Sequence, residues 1–301
     1  MRTWTRAFSS QARAKLNVCL HVGRIQPNGL HEIRSLAACL ELGDLLLFEP
    51  GVGGFTLQCE GVDIAERDNL AFRAASALGA NSENVRLRIR KNIPVQAGLG
   101  GASADAAATL LGIAHIAAER DSRHIAASEL AAIAGALGSD VPACLTTGFK
   151  TMRGTGDIIR PIRVTAPPWG IALLKPVAGM STADAYLRFD ARAEELDIAN
   201  IPLAERDVSE IVAADIAAGR FAEFCAHARN EFDPVICDVM PEVASARDRL
   251  RRAGAGATLL CGSGSTVAGF FPSRTDARRA LSRIDLAPGE WSHETAFYDG
   301  E

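Results

Sequence analysis

Residues 94–105 read PVQAGLGGASAD and lie between a predicted strand, Val85–Ile89, and a predicted helix, Ser103–Glu119. Glycine lets the backbone approach an anion closely, and the free N–H groups at the start of a helix can donate hydrogen bonds to that anion. The spacing of the glycines therefore suits a phosphate group. The other interpretation is a tight turn that uses glycine for positive φ, and the loop by itself is compatible with both.

Two common phosphate-binding motifs can be compared with this loop. The Walker A motif requires G-x-x-x-x-G-K-[ST], and no lysine follows these glycines, so the loop is not that of an ordinary P-loop NTPase. The dinucleotide fingerprint G-x-G-x-x-G matches Gly98 and Gly100, but its third position is Ser103. A Rossmann-type cofactor site is therefore the weaker interpretation.

The composition is that of a globular protein. The chain has 301 residues, of which 48% are hydrophobic and 23% charged, with a mean hydropathy of +0.08. At about 150 residues per domain, this length predicts two domains, each large enough to bury its own core. The net charge is −4 and the basic residues form no long run, so we expect no nucleic-acid partner.

The sequence predicts neither a membrane segment nor a secretion signal. The longest weakly polar stretch, Ala106–Ala118, is shorter than the ~18 apolar residues of a spanning helix, and residues 4–8 form no apolar signal core. The seven cysteines are odd in number, widely spaced and without a C-x-x-C pair, which argues against a disulfide framework and a zinc site. We therefore expect a cytoplasmic protein with no membrane partner.

Short strands and helices alternate along the chain, which predicts an α+β fold with two domains. The loose, proline-rich stretch 161–168 is the predicted boundary, giving domains over residues 1–163 and 164–301. Ala14–Val22 alternates in polarity and predicts a half-buried strand, with Lys15 and Asn17 on its polar face. The other predicted strands are 44–49, 171–174, 257–261 and 266–271, and the other predicted helices are 128–137, 209–218, 221–230, 243–253 and 275–284.

The glycine-rich loop, as P-x-x-x-G-L-G-G-x-S-A-D-A-A, resembles the phosphate loop of the GHMP kinase superfamily, whose ATP site lacks a Walker lysine. Three further segments are similar to the branch of that superfamily that acts on cytidine diphosphate methylerythritol. They are residues 14–32, with AKLN and PNGLHE; residues 138–142, GSDVP; and residues 260–266, LCGSGST. The four motifs occur in the family's order, and the resemblance spans residues 14–271.

The resemblance implies a GHMP kinase fold, with an N-terminal domain like domain 2 of ribosomal protein S5 and a C-terminal ferredoxin-like domain. It also implies a reaction, transfer of the ATP γ-phosphate to the 2-hydroxyl of the methylerythritol moiety in the non-mevalonate isoprenoid pathway. The expected partner is this small-molecule substrate, and the expected cofactors are ATP and Mg²⁺. No carboxylate ligand for Mg²⁺ is identified, and the oligomeric state is not predicted.

By resemblance, Asp140 would accept the proton of the substrate hydroxyl, and Lys15 would orient that hydroxyl and stabilise charge during transfer. Taken alone, Asp140 is also typical of a helix-flanking residue and Lys15 of an exposed strand lysine. If both assignments are right, their side chains should converge. The predicted ATP-binding residues are Pro94, Val95, Gln96, Ala97, Gly98, Leu99, Gly100, Gly101, Ala102, Ser103 and Ala104, with Asn69 and Lys91 at the border of the adenine pocket.

The resemblance assigns substrate contacts to Asn17, His31, Thr182 and Tyr186. The family commonly has an aromatic residue before the histidine to stack on cytosine, and this chain has Leu30 there. Leucine covers a base by apolar contact but loses a stacking contribution on the order of 1 kcal/mol.

Two alternatives remain open at the level of the sequence. One is another GHMP kinase, of the homoserine or mevalonate type, because the glycine-rich loop is shared across the superfamily. The other is a catalytically silent GHMP-fold protein that binds a nucleotide or metabolite. The residues at 15–17 and 30–31 favour the cytidyl substrate over the first alternative, and the presence of both Lys15 and Asp140 speaks against the second.

Overall fold

The computed structural model describes residues 4–62, 64–80, 84–195 and 201–300. The chain forms two compact units that alternate along the sequence. The first unit comprises residues 1–14, 42–94 and 100–146, and the second comprises residues 15–41, 95–99 and 147–301. Two long strands, β1 (Phe8–Ile25) and β2 (His31–Pro50), each have residues in both units.

In the first unit, the strands of the sheet follow the order β3 (Thr56–Glu60), β4 (Val85–Arg90), β2 and β1. The end of β2 pairs antiparallel with β4, and β3 pairs parallel with β4. The elements that complete this unit are β3 (Thr56–Glu60), a 3-10 helix (Glu66–Asp68), α1 (Leu70–Ala77), β4 (Val85–Arg90), α2 (Gly101–Asp121), α3 (Ala127–Leu137) and α4 (Val141–Cys144).

The core of the first unit lies between this sheet and its helices. Alternate residues of β2 and β4, among them Phe48 and Leu87, are fully buried, because each strand has one face against the core. The alanine-rich α2 is central to this core and is longer than the predicted apolar run, Ala106–Ala118. By length and composition alone, Gly101–Arg120 could cross a membrane, but 61% of its apolar window is buried inside the protein, as in a core helix.

The second unit contains a four-stranded antiparallel sheet in the order β11 (Trp291–Thr295), β7 (Gly170–Lys175), β10 (Val267–Phe271) and β9 (Ala257–Leu260). Of its remaining strands, β8 pairs with β1, β5 and β12 pair with β2, and β6 pairs with β5. The strands are β5 (Phe149–Arg153), β6 (Ile158–Ile162), β7 (Gly170–Lys175), β8 (Arg229–Asn230), β9 (Ala257–Leu260), β10 (Val267–Phe271), β11 (Trp291–Thr295) and β12 (Phe297–Tyr298). The helices are α5 (Thr182–Glu195), α6 (Leu203–Arg206), α7 (Ser209–Ala217), α8 (Phe221–His227), α9 (Phe232–Val239), α10 (Pro241–Arg252) and α11 (Arg274–Leu281).

The mixed α and β composition agrees with the sequence, but some expectations differ from the structure. The predicted half-buried strand is buried on both faces over Ala14–Val22, because its polar side chains find partners inside the protein. The predicted helix 221–230 ends at His227, and Asn230 lies in β8 instead. Both compact units are assembled from several segments, since β1 and β2 contribute to both, and the predicted boundary at residue 163 stays a prediction.

A buried ionic cluster of the first unit contains Asp44, Lys91 and Asp105. The Lys91 ammonium donates to both carboxylates, at 2.6 Å from Oδ2 of Asp105. Asp44 also accepts from the backbone N–H groups of Asn92 and Ile93, at 2.6 and 2.8 Å, which fixes the chain just before the glycine-rich loop. Burial favours the neutral amine, but the two carboxylates together raise the pKa of Lys91.

Asp105 is the unusual member of this cluster. Burial raises the pKa of its carboxyl to about 7. Repulsion by the Asp44 carboxylate also raises this pKa, whereas attraction by the Lys91 ammonium lowers it. The Oδ1 atom of Asp105 is buried without a hydrogen-bond partner. Because the folded-state pKa lies above the usual value of 3.8, the folded protein binds this proton more tightly than the unfolded chain does.

Gly112 of α2 leaves no room for a side chain. A Cβ there would lie 2.2 Å from Cζ of the buried Phe48 ring, whereas a Cβ at Gly135 of α3 meets nothing within 4 Å. We expect Gly112→Ala to lower the free energy of unfolding by about 1–3 kcal/mol through overpacking. The matched control Gly135→Ala should raise it by about 0.5–1 kcal/mol through helix propensity. Urea unfolding of both variants measures the difference, and equal effects would contradict this packing.

The Asp105 carboxyl predicts a pH dependence of stability. Its stabilising contribution is present below the unfolded-state pKa and is lost as pH rises through about 7. Asp105→Asn cannot ionise, so the unfolding free energy of this variant should improve relative to that of the native protein between pH 5 and 8. Urea unfolding at several pH values tests this, with the exposed Asp68→Asn as control. Parallel curves for Asp105→Asn and the native protein would exclude a neutral Asp105.

Candidate active site

The glycine-rich loop turns sharply before α2. Gly98 and Gly100 have φ values of 71° and 69°. Gln96, which precedes both glycines, has a φ of 52°. Gly100 is the N-cap residue of α2, which begins at Gly101 rather than at Ser103 as predicted. The first N–H groups of an α-helix have no partner within the helix, so the start of this 21-residue helix offers donors to an anion.

In the second unit, the Val95–Leu99 part of this loop packs directly against the turn between β9 and β10. A Cβ at Gly98 would lie 1.8 Å from the carbonyl oxygen of Cys261, so only glycine allows this approach. The N–H of Ser265 donates to the carbonyl of Gln96 at 3.3 Å, and the N–H of Lys15 donates to that of Leu99 at 2.9 Å. Gly98 therefore serves both a tight turn and a close backbone contact.

The side chain of Asn230 hydrogen-bonds to the β9–β10 turn. Its Nδ2 donates to the carbonyls of Leu260 and Gly262, at 2.8 and 2.7 Å, and its Oδ1 accepts from the N–H of Phe232 at 3.0 Å. The turn that joins β9 and β10 is the predicted one at residues 262–265. Asn230 was not identified from the sequence, because the predicted helix 221–230 runs through it and no local motif marks it.

Lys15 and Asn17 lie in β1, two residues apart on the same face of the strand. Only 5% of Lys15 and 1% of Asn17 are exposed. The Lys15 ammonium donates to Oδ1 of Asn17 at 2.8 Å. A Cβ at Gly262 would come within 3.7 Å of that same Oδ1, so the pair lies beside the glycine turn. The structure thus brings Lys15 and Asn17 next to the Val95–Leu99 loop and the β9–β10 turn.

The predicted substrate residues His31, Thr182 and Tyr186 also lie in the second unit. The rings of His31 and Tyr186 stack with centroids 4.7 Å apart and 24° between their planes. Thr182 and Tyr186 are four residues apart in α5, which puts them on one face of the helix. The Thr182 hydroxyl lies 3.2 Å from that of Ser263 in the β9–β10 turn, so α5 connects the turn to the stacked rings.

The imidazole of His31 faces an acceptor on each side. Nδ1 donates to the carbonyl of Gly23 at 2.9 Å, since a carbonyl can only accept, and Nε2 lies 3.3 Å from Oδ1 of Asp190. Asp190 was not identified from the sequence, because only the fold of α5 brings it to His31. Leu30, before the histidine, is 49% exposed, and its backbone closes the preceding turn by accepting from the N–H of Gln26.

The first unit contains the other predicted residues. Asn69 caps α1 by accepting from the N–H of Ala71 at 2.9 Å, and Lys91 belongs to the ionic cluster with Asp44 and Asp105. Asp140 is the N-cap residue of α4, as its position before that helix suggests. Lys15 and Asp140 belong to different units, and the convergence of their side chains stays a prediction.

The chain also matches known protein families over most of its length. Residues 69–148 match the GHMP kinases N terminal domain, and residues 212–288 match the GHMP kinases C terminal domain. A 4-diphosphocytidyl-2-C-methyl-D-erythritol kinase of Pelotomaculum thermopropionicum is 36% identical over 281 residues, which cover 92% of this chain and 93% of the relative. A kinase of the same name from Geobacillus thermodenitrificans is also 36% identical, with 92% of each chain covered.

Solved structures agree with these matches. A crystal structure of 4-(cytidine 5'-diphospho)-2C-methyl-D-erythritol kinase superposes with a TM-score of 0.75 at 28% identity, covering 96% of this chain and 99% of that one. A homoserine kinase from Cytophaga hutchinsonii has a TM-score of 0.71 at 15% identity, with 100% and 98% of the two chains covered, so it shares the fold alone. The predicted α+β GHMP kinase fold is confirmed. The chain belongs to the GHMP kinases and, within them, to the family of 4-diphosphocytidyl-2-C-methyl-D-erythritol kinases.

Proposed function

We propose that this protein transfers the γ-phosphate of ATP to the 2-hydroxyl of 4-diphosphocytidyl-2-C-methyl-D-erythritol, a step of non-mevalonate isoprenoid precursor synthesis. The observation that carries the proposal is the identity of 36%, over nearly the whole of both chains, with relatives that bear this activity in their names. Two structural features also support it. They are the position of the glycine-rich loop beside Lys15 and Asn17, and the stacking of His31 on Tyr186.

The ATP phosphates would lie against the backbone of Pro94–Ala104. The support for this placement is the positive φ at Gly98 and Gly100 and the start of α2, which together direct N–H groups towards an anion. Asn69 and Lys91 would border the adenine. Because two carboxylates bind the Lys91 ammonium, we expect its alkyl chain and backbone, rather than its charge, to face the base.

Magnesium is part of the proposal because it neutralises charge on the phosphate oxygens during transfer. Over the described ranges, no group of three or more His, Cys, Asp or Glu side chains is placed to hold a metal ion. This fits Mg²⁺, which binds largely through substrate phosphates and water and takes one or two protein ligands. The Ser103 hydroxyl, in the first turn of α2, is the protein group that we place beside it or beside a phosphate oxygen.

Asp140 and Lys15 would handle the acceptor hydroxyl. The hydroxyl oxygen attacks the γ-phosphorus, its proton passes to the Asp140 carboxylate, and the bond from the γ-phosphorus to the bridging oxygen breaks to release ADP. Lys15 would hold the acceptor oxygen and stabilise negative charge on the transferred group. The burial of Lys15 supports this role, because a low local dielectric strengthens its attraction for that charge.

The cytidine half of the substrate would lie near His31 and Tyr186, with Asn17 and Thr182 as further contacts. Tyr186 is the aromatic partner for the base, and Leu30 supplies apolar cover from its exposed position. The aromatic residue common at position 30 in the family is absent here, so we expect weaker binding of the cytidyl substrate rather than a different reaction.

We also propose that the protein acts in the cytoplasm on this small molecule. The seven cysteines are all free, as suits a reducing compartment.

The acceptor can be identified by measuring ADP release from ATP and Mg²⁺ by the purified protein. We expect turnover with 4-diphosphocytidyl-2-C-methyl-D-erythritol and none above background with homoserine, mevalonate or no acceptor. Turnover with another acceptor would keep the GHMP kinase assignment but replace the substrate. Binding of ATP with no turnover on any acceptor would instead favour a catalytically silent member of the fold.

The proton acceptor can be tested with Asp140→Asn, which keeps shape and hydrogen bonding but removes the basic carboxylate. We expect kcat to fall by about 10²–10⁴-fold, the usual contribution of a general base. The KM for ATP should change little, because the phosphate loop is untouched. Steady-state kinetics at saturating acceptor measures both quantities, and wild-type turnover in this variant would remove Asp140 from the mechanism.

A further inference from the structure

The side-chain amide of Asn17 lies between Lys15 and Ser35. Lys15 Nζ donates to Oδ1 of Asn17 at 2.8 Å, and Nδ2 of Asn17 donates to Oγ of Ser35 at 2.7 Å. The Ser35 hydroxyl in turn donates to the carbonyl of Cys19 at 2.7 Å. Asn17 and Ser35 are each 1% exposed, so water does not compete for these bonds.

The direction of these hydrogen bonds follows from the chemistry of the groups. A hydroxyl has one proton, and the Cys19 carbonyl can only accept, so Ser35 donates its one hydrogen bond to that carbonyl. Towards Asn17, Oγ of Ser35 can therefore only accept, and it must face the amide nitrogen. The amide oxygen then faces the Lys15 ammonium. A flipped amide would point its NH₂ group at the ammonium and lose both bonds.

Ser35 itself is held firmly. It lies in β2 and pairs with Met152 of β5, and the next residue, Leu36, donates its N–H to Sγ of Cys19 at 3.3 Å. A side chain fixed on paired strands restricts the groups that it contacts more than a loop residue would. The hydroxyl of Ser35 is thus a rigid reference point two hydrogen bonds from the Lys15 ammonium.

We propose that Ser35 is a positioning residue for phosphoryl transfer, because it sets the orientation of the Asn17 amide and, through it, the position of the Lys15 ammonium. This inference rests on the proposed function, in which Lys15 holds the acceptor oxygen. Ser35 touches no reacting atom in this scheme, and it acts only through Asn17.

The test uses Ser35→Ala in the full-length protein, with ATP, Mg²⁺ and 4-diphosphocytidyl-2-C-methyl-D-erythritol. Without the hydroxyl, the amide of Asn17 can flip, and we expect kcat to fall about tenfold, the scale of one buried hydrogen bond. The KM for ATP should stay within about twofold, because the phosphate loop keeps its contacts. Ser35→Thr retains the hydroxyl and should restore most of the turnover.

A double-mutant cycle separates positioning from general damage to the fold. If Ser35 acts through Asn17, then Ser35→Ala should change kcat less than twofold in an Asn17→Ala background. Ser209→Ala is the matched control, since this buried serine contacts the side chain of Cys19 rather than the amide of Asn17, and it should leave kcat unchanged. If Ser35→Ala does not fold, Ser35→Cys replaces it, and its weakly accepting sulfur should also lower kcat.

Two results would overturn the proposal. One is wild-type kcat in a folded Ser35→Ala or Ser35→Cys variant, and the other is an equal loss of kcat with and without Asn17. Lys15→Met distinguishes either result from failure of the proposed function. If Lys15→Met loses turnover while Ser35→Ala does not, only the positioning role is wrong. If Lys15→Met keeps wild-type turnover, the catalytic role of Lys15 is wrong as well.

Discussion

The carbonyl oxygen of Cys261 lies where a side chain at position 98 would have to begin, and the candidate site of the second unit depends on that close approach. It allows the Val95–Leu99 loop to rest on the β9–β10 turn, where Ser265 bonds to Gln96. The same loop accepts the backbone N–H of Lys15, so β1 is tied to it as well. A larger residue at 98 would separate three segments that are distant in sequence.

A second constraint is the burial of polar groups on β1. Removing Lys15, Asn17 and His21 from water costs free energy unless each finds a partner. The structure supplies partners in Asn17, Ser35 and Glu231, the last of which lies 3.1 Å from Nδ1 of His21. The pairing fixes the directions of these side chains before any ligand arrives, and such preorganisation is what charge stabilisation in phosphoryl transfer requires.

Much of the fold and part of the site could be predicted from sequence. Helix α3 begins one residue before its predicted start and ends where predicted, since its apolar period and the following Gly138 are local signals. The burial of Lys15 was not predictable, because alternation shows two faces of a strand but not that Ser35 and Glu231 cover the polar one. The pairing of Asp105 with Lys91 was not predictable either, because the two residues lie on opposite sides of the glycine-rich loop and no local pattern joins them.

The two long strands have a consequence for building chimeras of this family. A crossover at residue 163 would coincide with the loose stretch in the sequence, yet β1 and β2 precede it while their partners β8 and β12 follow it. The edges of one sheet would then come from two parents, and their side chains have not been selected to fit one another. Recombination is better tolerated where the exchanged segment does not separate the two members of a strand pair. A helix such as α11 with its flanking loops contains no strand, so it is a safer piece to exchange than either half of the chain.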